Sequence, residues 1–226
     1  MAGCGVLFSH LELLEETGSP LGAAANMAMD EVLLVRAARP ILRVYRWARP
    51  AVTFGYFERW EPVVRAFPDR EWIRRWTGGG VVPHGEDWTY SLIVPRGESF
   101  AMAAAAESYR LIHELLGEAL REEGIPTLLT PHAAPKVSQA CFENPAFADL
   151  LCAGRKIAGA AQRRSRFGLL HQGSVQGIRI PPGFAQRLAR TFACVVIPRG
   201  LGAEETAEAG RLTQAKYATD AWNRKD

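Results

Sequence analysis

The order of the periodic segments constrains this chain most. A helix-like stretch, AAANMAMDEVLLVRAA, covers about 23–38 and stops before Pro40. Candidate strands follow at Ile41–Trp47, Ala51–Tyr56 and Trp88–Val94. A second helix opens in the alanine-rich tract MAAAAE, places Tyr109, Ile112, Leu116 and Leu120 on one face, and closes at Gly124 and Pro126. Further strands are expected at Phe147–Cys152, Lys156–Ala161 and Leu169–Gln176. Helices are expected at 183–194, carrying Phe184, Leu188 and Phe192, and within 203–218. Strands do not alternate regularly with helices, which excludes a doubly wound sheet. The expectation is an α+β fold with a mixed or antiparallel sheet flanked by helices.

The length, 226 residues with 48% hydrophobic side chains, is ample for one core, and no composition break marks a boundary. A single domain over 1–226 is expected. Lys plus Arg (27) less Asp plus Glu (24) leaves +3, too weak to imply nucleic acid. No apolar run reaches the length of a membrane span, and the start lacks a signal-peptide pattern. Cys4, Cys141, Cys152 and Cys194 are scattered, with neither disulfide-scaffold nor metal-ligand spacing. A reducing, cytoplasmic setting follows as an expectation, with Cys152 and Cys194 in apolar runs read as core.

Three segments can carry chemistry. In RRWTGGGVVPHGEDWTYS, Gly78, Gly79 and Gly80 permit a close approach to backbone, and their N–H groups can form an anion nest beside Arg74 and Arg75. The alternative is an ordinary turn with surface arginines. His84 follows, with Glu86 and Asp87 close in sequence; a lone histidine is more often structural than catalytic. In GRKIAGAAQ, Lys156 stands on a strand beside the small residues Gly159, Ala160 and Ala161. It could steady an acyl carbonyl as a point charge, or be an ordinary exposed lysine. Arg163, Arg164 and Arg166 read as a solvated face able to attract an acidic protein. In SQACFENP, Cys141 lies in Pro131–Asn144, read as a mobile loop, where a thiol is either incidental or a nucleophile.

Together, RRWTGGGVVPH, GRKIAGAAQ and LLHQGSVQ resemble, in order, the catalytic domain shared by lipoate–protein ligases, octanoyltransferases and biotin ligases. NMAMDEVLL is similar to that family's first helix, RVYRWARPAVTFGYF to its first strand pair and KYATDAWN to its terminus. The resemblance runs from about residue 20 to 223. CFENPAFADLLCAGRKIAG resembles the octanoyltransferase branch whose nucleophile precedes a Phe, which makes Cys141 the nucleophile. That branch usually has Gly-Gly-Arg in the loop and Asp after the histidine, whereas this chain has a third glycine and Gly85.

The resemblance implies transfer of an octanoyl or lipoyl group to a lysine of a lipoyl-carrier domain. The carriers would be those of 2-oxoacid dehydrogenases or the glycine cleavage H protein. In the preferred reading, Cys141 takes octanoate from acyl carrier protein with no cofactor. Lys156 and backbone N–H groups steady the oxyanion, Gly159 and Ala160 leave room for the chain, and Lys156 or His84 accepts a proton. In the alternative, a lipoate–protein ligase, ATP and Mg²⁺ take part. Arg75 and the glycine loop with Val81 and Val82 then hold the adenylate phosphate and the lipoyl chain. A lipoyl amidotransferase and a non-catalytic binding module are the remaining readings. Neither nucleic acid nor membrane is an expected partner.

Overall fold

The computed structural model describes residues 6–131 and 145–225. The chain opens with β1 (Phe8–Glu15), α1 (Ala23–Arg36), β2 (Ile41–Tyr45), β3 (Ala51–Phe54), α2 (Trp60–Ala66), β4 (Glu71–Arg74), β5 (Val81–His84) and β6 (Trp88–Pro95). It continues with α3 (Ala105–Glu122), β7 (Leu128–Leu129), β8 (Leu150–Cys152), β9 (Arg155–Ser165), β10 (Gly168–Val175), α4 (Phe184–Phe192), β11 (Ala193–Pro198), α5 (Ala203–Leu212) and α6 (Asp220–Asn223).

Eight strands form one mixed sheet in the order β11-β1-β2-β6-β10-β9-β8-β7, and β4-β3-β5 form a second, smaller sheet. The period-two alternation of side chains decides which helices cover which face. Leu42 and Val44 of β2, with Tyr90, Leu92 and Val94 of β6, pack with Ile112, Leu116 and Leu120 of α3 and with Leu188 and Phe192 of α4. Their neighbours Ile41, Tyr45 and Ile93 face the other way, onto Met29, Val32 and Leu33 of α1 and Ala209 of α5. The large sheet is therefore covered on both faces, and the α+β expectation with a mixed sheet holds.

Several boundaries differ from expectation. β1 pairs in parallel with both β11 and β2, although its two glutamates and terminal position disguised it in sequence. The short strands β4 and β5 lie in segments where the sequence predicted no strand. β8 starts at Leu150 rather than Phe147, because Ala148 adopts a left-handed turn, φ 61°. Cys194 sits on the edge strand β11 and is exposed, and Cys152 is half-buried, so neither is a core residue. Cys4, Cys141 and most of the stretch read as a mobile loop lie outside the described residues.

Buried charge fastens α1 to the large sheet and the 222–225 segment to the small one. Arg43 of β2 is fully buried and donates to Asp30 at 2.6 Å, Glu16 at 2.6 Å and Asn26 Oδ1 at 2.7 Å. Ser91 and Gln172 donate to the other oxygen of Asp30. Every charge in the network has a partner, the condition under which buried ions are tolerated. Arg74, also buried, donates to the carbonyls of Tyr56, Glu58, Trp222, Asn223 and Lys225, fastening the 222–225 segment to the small sheet.

Candidate active site

The turn between β4 and β5 is set by backbone geometry and one guanidinium. Gly79 has φ 79°, the left-handed region that favours glycine. Gly55 lies against it so closely that a Cβ there would stand 1.7 Å from the Gly79 carbonyl oxygen. Arg75, 5% exposed, donates to the carbonyls of Gly78 and Gly80, both at 2.9 Å, and to Thr53 Oγ1 at 2.6 Å. Arg75 therefore shapes the turn. Below it, Thr77 donates to Gln172 Oε1, and Gln172 donates to Asp30, tying the turn to the buried charges of the large sheet.

A cavity of about 60 Å³ lies between this turn and strands β9 and β10. Met27, Val82, Ala160 and Ala161 contribute apolar surface, and Lys156, Arg75 and Thr53 contribute polar groups. Gly78 and Val81 flank the lining residues in sequence, while Gly79, Gly80, Val82, His84, Gly159, Ala160 and Lys156 all line the cavity itself. The structure thus brings the described members of the expected site to one cavity, except Gly78 and Val81, which are not among its lining residues. Cys141 lies outside the described residues.

His84 is buried between two partners. Its Nδ1 is 2.7 Å from Asp87 Oδ2 and its Nε2 is 2.9 Å from Thr53 Oγ1. Thr53 accepts from Arg75, so its own proton can point to Nε2, and Nδ1–H then donates to Asp87. The Trp47 ring stacks on the imidazole, centroids 4.2 Å apart. Burial lowers the His84 pKa, Asp87 opposes this, and the charges of Arg75 and Arg70 reinforce it. Asp87 is a hub that also accepts from Gly85 N–H, Thr89 and Ser174. Burial would raise its pKa, but these bonds and that of His84 prevail and hold it at about 2. The carboxylate that meets His84 therefore comes from Asp87, three residues on.

Lys156, with its side chain 8% exposed, is 2.7 Å from Asp149 Oδ2. Gly159 makes room for it: a Cβ there would lie 2.6 Å from Lys156 Cε. The space over Gly159, expected for an acyl chain, is taken first by the lysine. Asp149 also accepts from Tyr109 and from Ala146 N–H, and Tyr109 accepts from Ala160 N–H. Sequence reading missed Asp149 and Tyr109. A lone aspartate inside the apolar run FADLLC was the available signal, since buried carboxylates need partners. Arg163, Arg164 and Arg166 are only partly a solvated face. Arg163 lies between the rings of Tyr56 and Trp76, whereas Arg164 and Arg166 are exposed.

The family model described as the lipoyl protein ligase A/B catalytic domain matches residues 22–176, a span that holds every residue lining the cavity. The chain belongs to this family. Among curated relatives, the chain is 30% identical to Octanoyltransferase LipM of Kyrpidia tusciae, over 89% of this chain and 94% of that protein. It is 36% identical to Octanoyltransferase LipM of Staphylococcus aureus, over 66% of this chain and 60% of that protein. The matched region therefore spans less than two thirds of the Staphylococcus protein's length. Among solved structures, lipoate-protein ligase A bound with ATP aligns with TM-score 0.72 at 20% identity, over 96% of this chain and 98% of that one. A bi-partite lipoate protein ligase from Thermoplasma acidophilum, described with its E2 lipoyl domain, aligns with TM-score 0.68 at 21% identity, over 97% and 99%. These two likenesses establish a shared family fold.

Proposed function

We propose that this protein transfers an octanoyl group from acyl carrier protein to a lysine of a lipoyl-carrier domain, through a thioester on Cys141. The observation that carries this reading is Lys156 set into the wall of a cavity opposite a rigid glycine turn. It occurs in a chain whose Kyrpidia relative, matched over nearly its full length, is an octanoyltransferase. The location of Cys141 in sequence also supports it. Thr130 N donates to Asp149 O and Ala148 N to Thr130 O, so residues 130 and 148 form a closed stem beside Lys156. Cys141 falls between these two residues in sequence.

In the first step the Cys141 thiolate attacks the donor thioester. The oxyanion is steadied by the Lys156 ammonium and by backbone N–H groups, and the carrier's thiolate leaves and takes a proton. In the second, the neutral amine of the acceptor lysine attacks the acyl-enzyme. The amide forms, the C–S bond breaks, and the proton lost by the amine restores the Cys141 thiol. Both ring nitrogens of His84 are engaged, so His84 serves as a wall of the site and the second step needs no base from it. The transfer requires no nucleotide. The exposed Arg164 and Arg166 offer an acidic carrier protein a basic edge to approach. A reducing cytoplasm suits the thiolate; among the described residues no helix is long and apolar enough to cross a membrane.

The second reading, an ATP-dependent lipoate–protein ligase, draws on the three-glycine turn, with ATP and Mg²⁺ as co-substrates. The engagement of Arg75 with the turn's carbonyls and Thr53 favours the transferase.

Intact-protein mass spectrometry tests the choice. With octanoyl-acyl carrier protein and no ATP, an octanoyl adduct forms and is absent from Cys141→Ser. ATP-dependent lipoylation of a carrier domain without any adduct would make the protein a ligase. An adduct formed only from a lipoylated protein would make it an amidotransferase.

A further inference from the structure

Lys156 is not placed by its own strand alone. Its ammonium meets a carboxylate that three separate elements hold still. Asp149 is completely buried, and its side chain takes Lys156 Nζ at 2.7 Å and Ala146 N–H at 2.6 Å on Oδ2, and the Tyr109 hydroxyl at 2.5 Å on Oδ1. Tyr109 comes from α3, and its oxygen is itself held by Ala160 N–H at 2.9 Å. Ala160 lines the cavity. The backbone of Asp149 is anchored as well, its carbonyl accepting from both N–H and Oγ1 of Thr130. The preceding residue, Ala148, is buried in a left-handed conformation that costs about 1 kcal/mol or more for a non-glycine residue, and His113 Nδ1 lies 2.7 Å from its carbonyl oxygen.

An aspartate held by its carboxylate from α3 and the 146–149 turn, and by its carbonyl from Thr130 after β7, is rigid before any ligand arrives. An ammonium on a four-carbon stem has many rotamers, and a rigid partner selects one. The absent side chain at Gly159 leaves that rotamer a seat on the strand, with Asp149 Oδ1 only 3.2 Å from where a Cβ would be. Strain at Ala148, a bare strand position at Gly159 and a tyrosine reaching across from α3 all converge on the same nitrogen atom. Packing alone requires none of the three.

We infer that Asp149 is a positioning residue that fixes the Lys156 ammonium at the cavity wall, with Tyr109 orienting its carboxylate. This inference rests on the reading of Lys156 as the group that steadies the acyl carbonyl. It holds for either acyl donor, because Lys156 meets the same carbonyl in a thioester and in an adenylate.

The test is a double-mutant cycle on single-turnover acylation of a lipoyl-carrier domain, followed for hours by intact mass so that slow variants remain measurable. Wild type is first assayed with octanoyl-acyl carrier protein and, separately, with lipoate and ATP. The outcome of that comparison judges the proposed function, and the cycle then uses whichever donor works. Asp149→Asn is expected to slow transfer about 100-fold with the KM for the carrier domain nearly unchanged, and Tyr109→Phe about 5-fold. In a Lys156→Ala background, Asp149→Asn should cost less than 3-fold, because a residue acting through Lys156 has nothing left to position. Equal losses in both backgrounds would make Asp149 merely structural and overturn the inference, as would Asp149→Asn at wild-type rate. If Asp149→Asn fails to fold, Tyr109→Phe, which keeps the ion pair, is run through the same cycle under the same criteria.

Discussion

The Trp47 ring lies against the imidazole of His84 at 4.2 Å and 23°, while its Nε1 donates to Thr89, which in turn donates to Asp87. One indole thus braces both ends of the His84–Asp87 pair and forms part of the cavity lining. Trp47→Phe keeps a ring against the imidazole but removes the donor, and should lower unfolding free energy by about 1 kcal/mol. Trp47→Ala should lower it by roughly 3–5 kcal/mol. Urea unfolding of the two variants checks the ordering, and equal losses would show that the stack contributes nothing.

Two glycines separate folding from chemistry. A Cβ at Gly55 meets backbone, 1.7 Å from the Gly79 oxygen, whereas a Cβ at Gly159 meets the far end of a flexible lysine. Gly55→Ala should therefore destabilise the protein by several kcal/mol or prevent its expression. Gly159→Ala should fold with a near-normal melting temperature while acyl transfer falls 10-fold or more, because Lys156 must leave its seat. A Gly159→Ala variant of full activity would sever Lys156 from the reaction.

Asp87 gives stability a lower pH limit. Its pKa is held at about 2, below the usual carboxylate value, so the unfolded chain binds its proton more readily than the native one. The stabilisation, about 2 kcal/mol, is complete above roughly pH 4 and disappears as pH falls through about 2. Asp87→Asn should therefore be less stable than wild type at pH 7, with the gap closing toward pH 2 in denaturant titrations.

His113 acts over a different range. Burial holds its pKa down to about 4, with the charges of Asp149 and Lys156 pulling in opposite directions. Its Nε2 has no hydrogen-bond partner among the described residues. The folded state refuses a proton that the unfolded chain accepts from about pH 6.5 downward. Stability should decline by roughly 3 kcal/mol between pH 6.5 and 4 from this group alone. His171, buried with its pKa well below the usual value, works in the same direction. His113→Leu should flatten that part of the profile measured by thermal melts, and an unchanged slope would contradict the assignment.

Much of the architecture was legible because apolar periodicity is strong where burial is one-sided, as in α3 and α4. It was weak where strands are short or lie at the start of the described chain: β1 carries Glu12 and Glu15, and β4 and β5 are four residues each. The lining residues Lys156, His84 and the glycine turn were legible from residue type. What they do locally was not, since Arg75 resembles a phosphate ligand in sequence and is a clamp on backbone carbonyls in space. Gly159 resembled room for a substrate and is room for a lysine. Asp149 and Tyr109 escaped notice because they are brought to Lys156 by α3 and the 146–149 turn, a meeting that no local pattern encodes.

The bonds from Arg74 to the carbonyls of Trp222, Asn223 and Lys225 give synthesis a timetable. The strand that leads into the glycine turn is fastened by residues made some 150 positions later. While the chain is still emerging from the ribosome, the large sheet can assemble and Arg75 can shape the turn, but the buried Arg74 guanidinium of the strand leading into it lacks three of its five carbonyl partners. A chain in which 222–225 are missing or not yet made would therefore be expected to present a mostly folded body with a loosened small sheet.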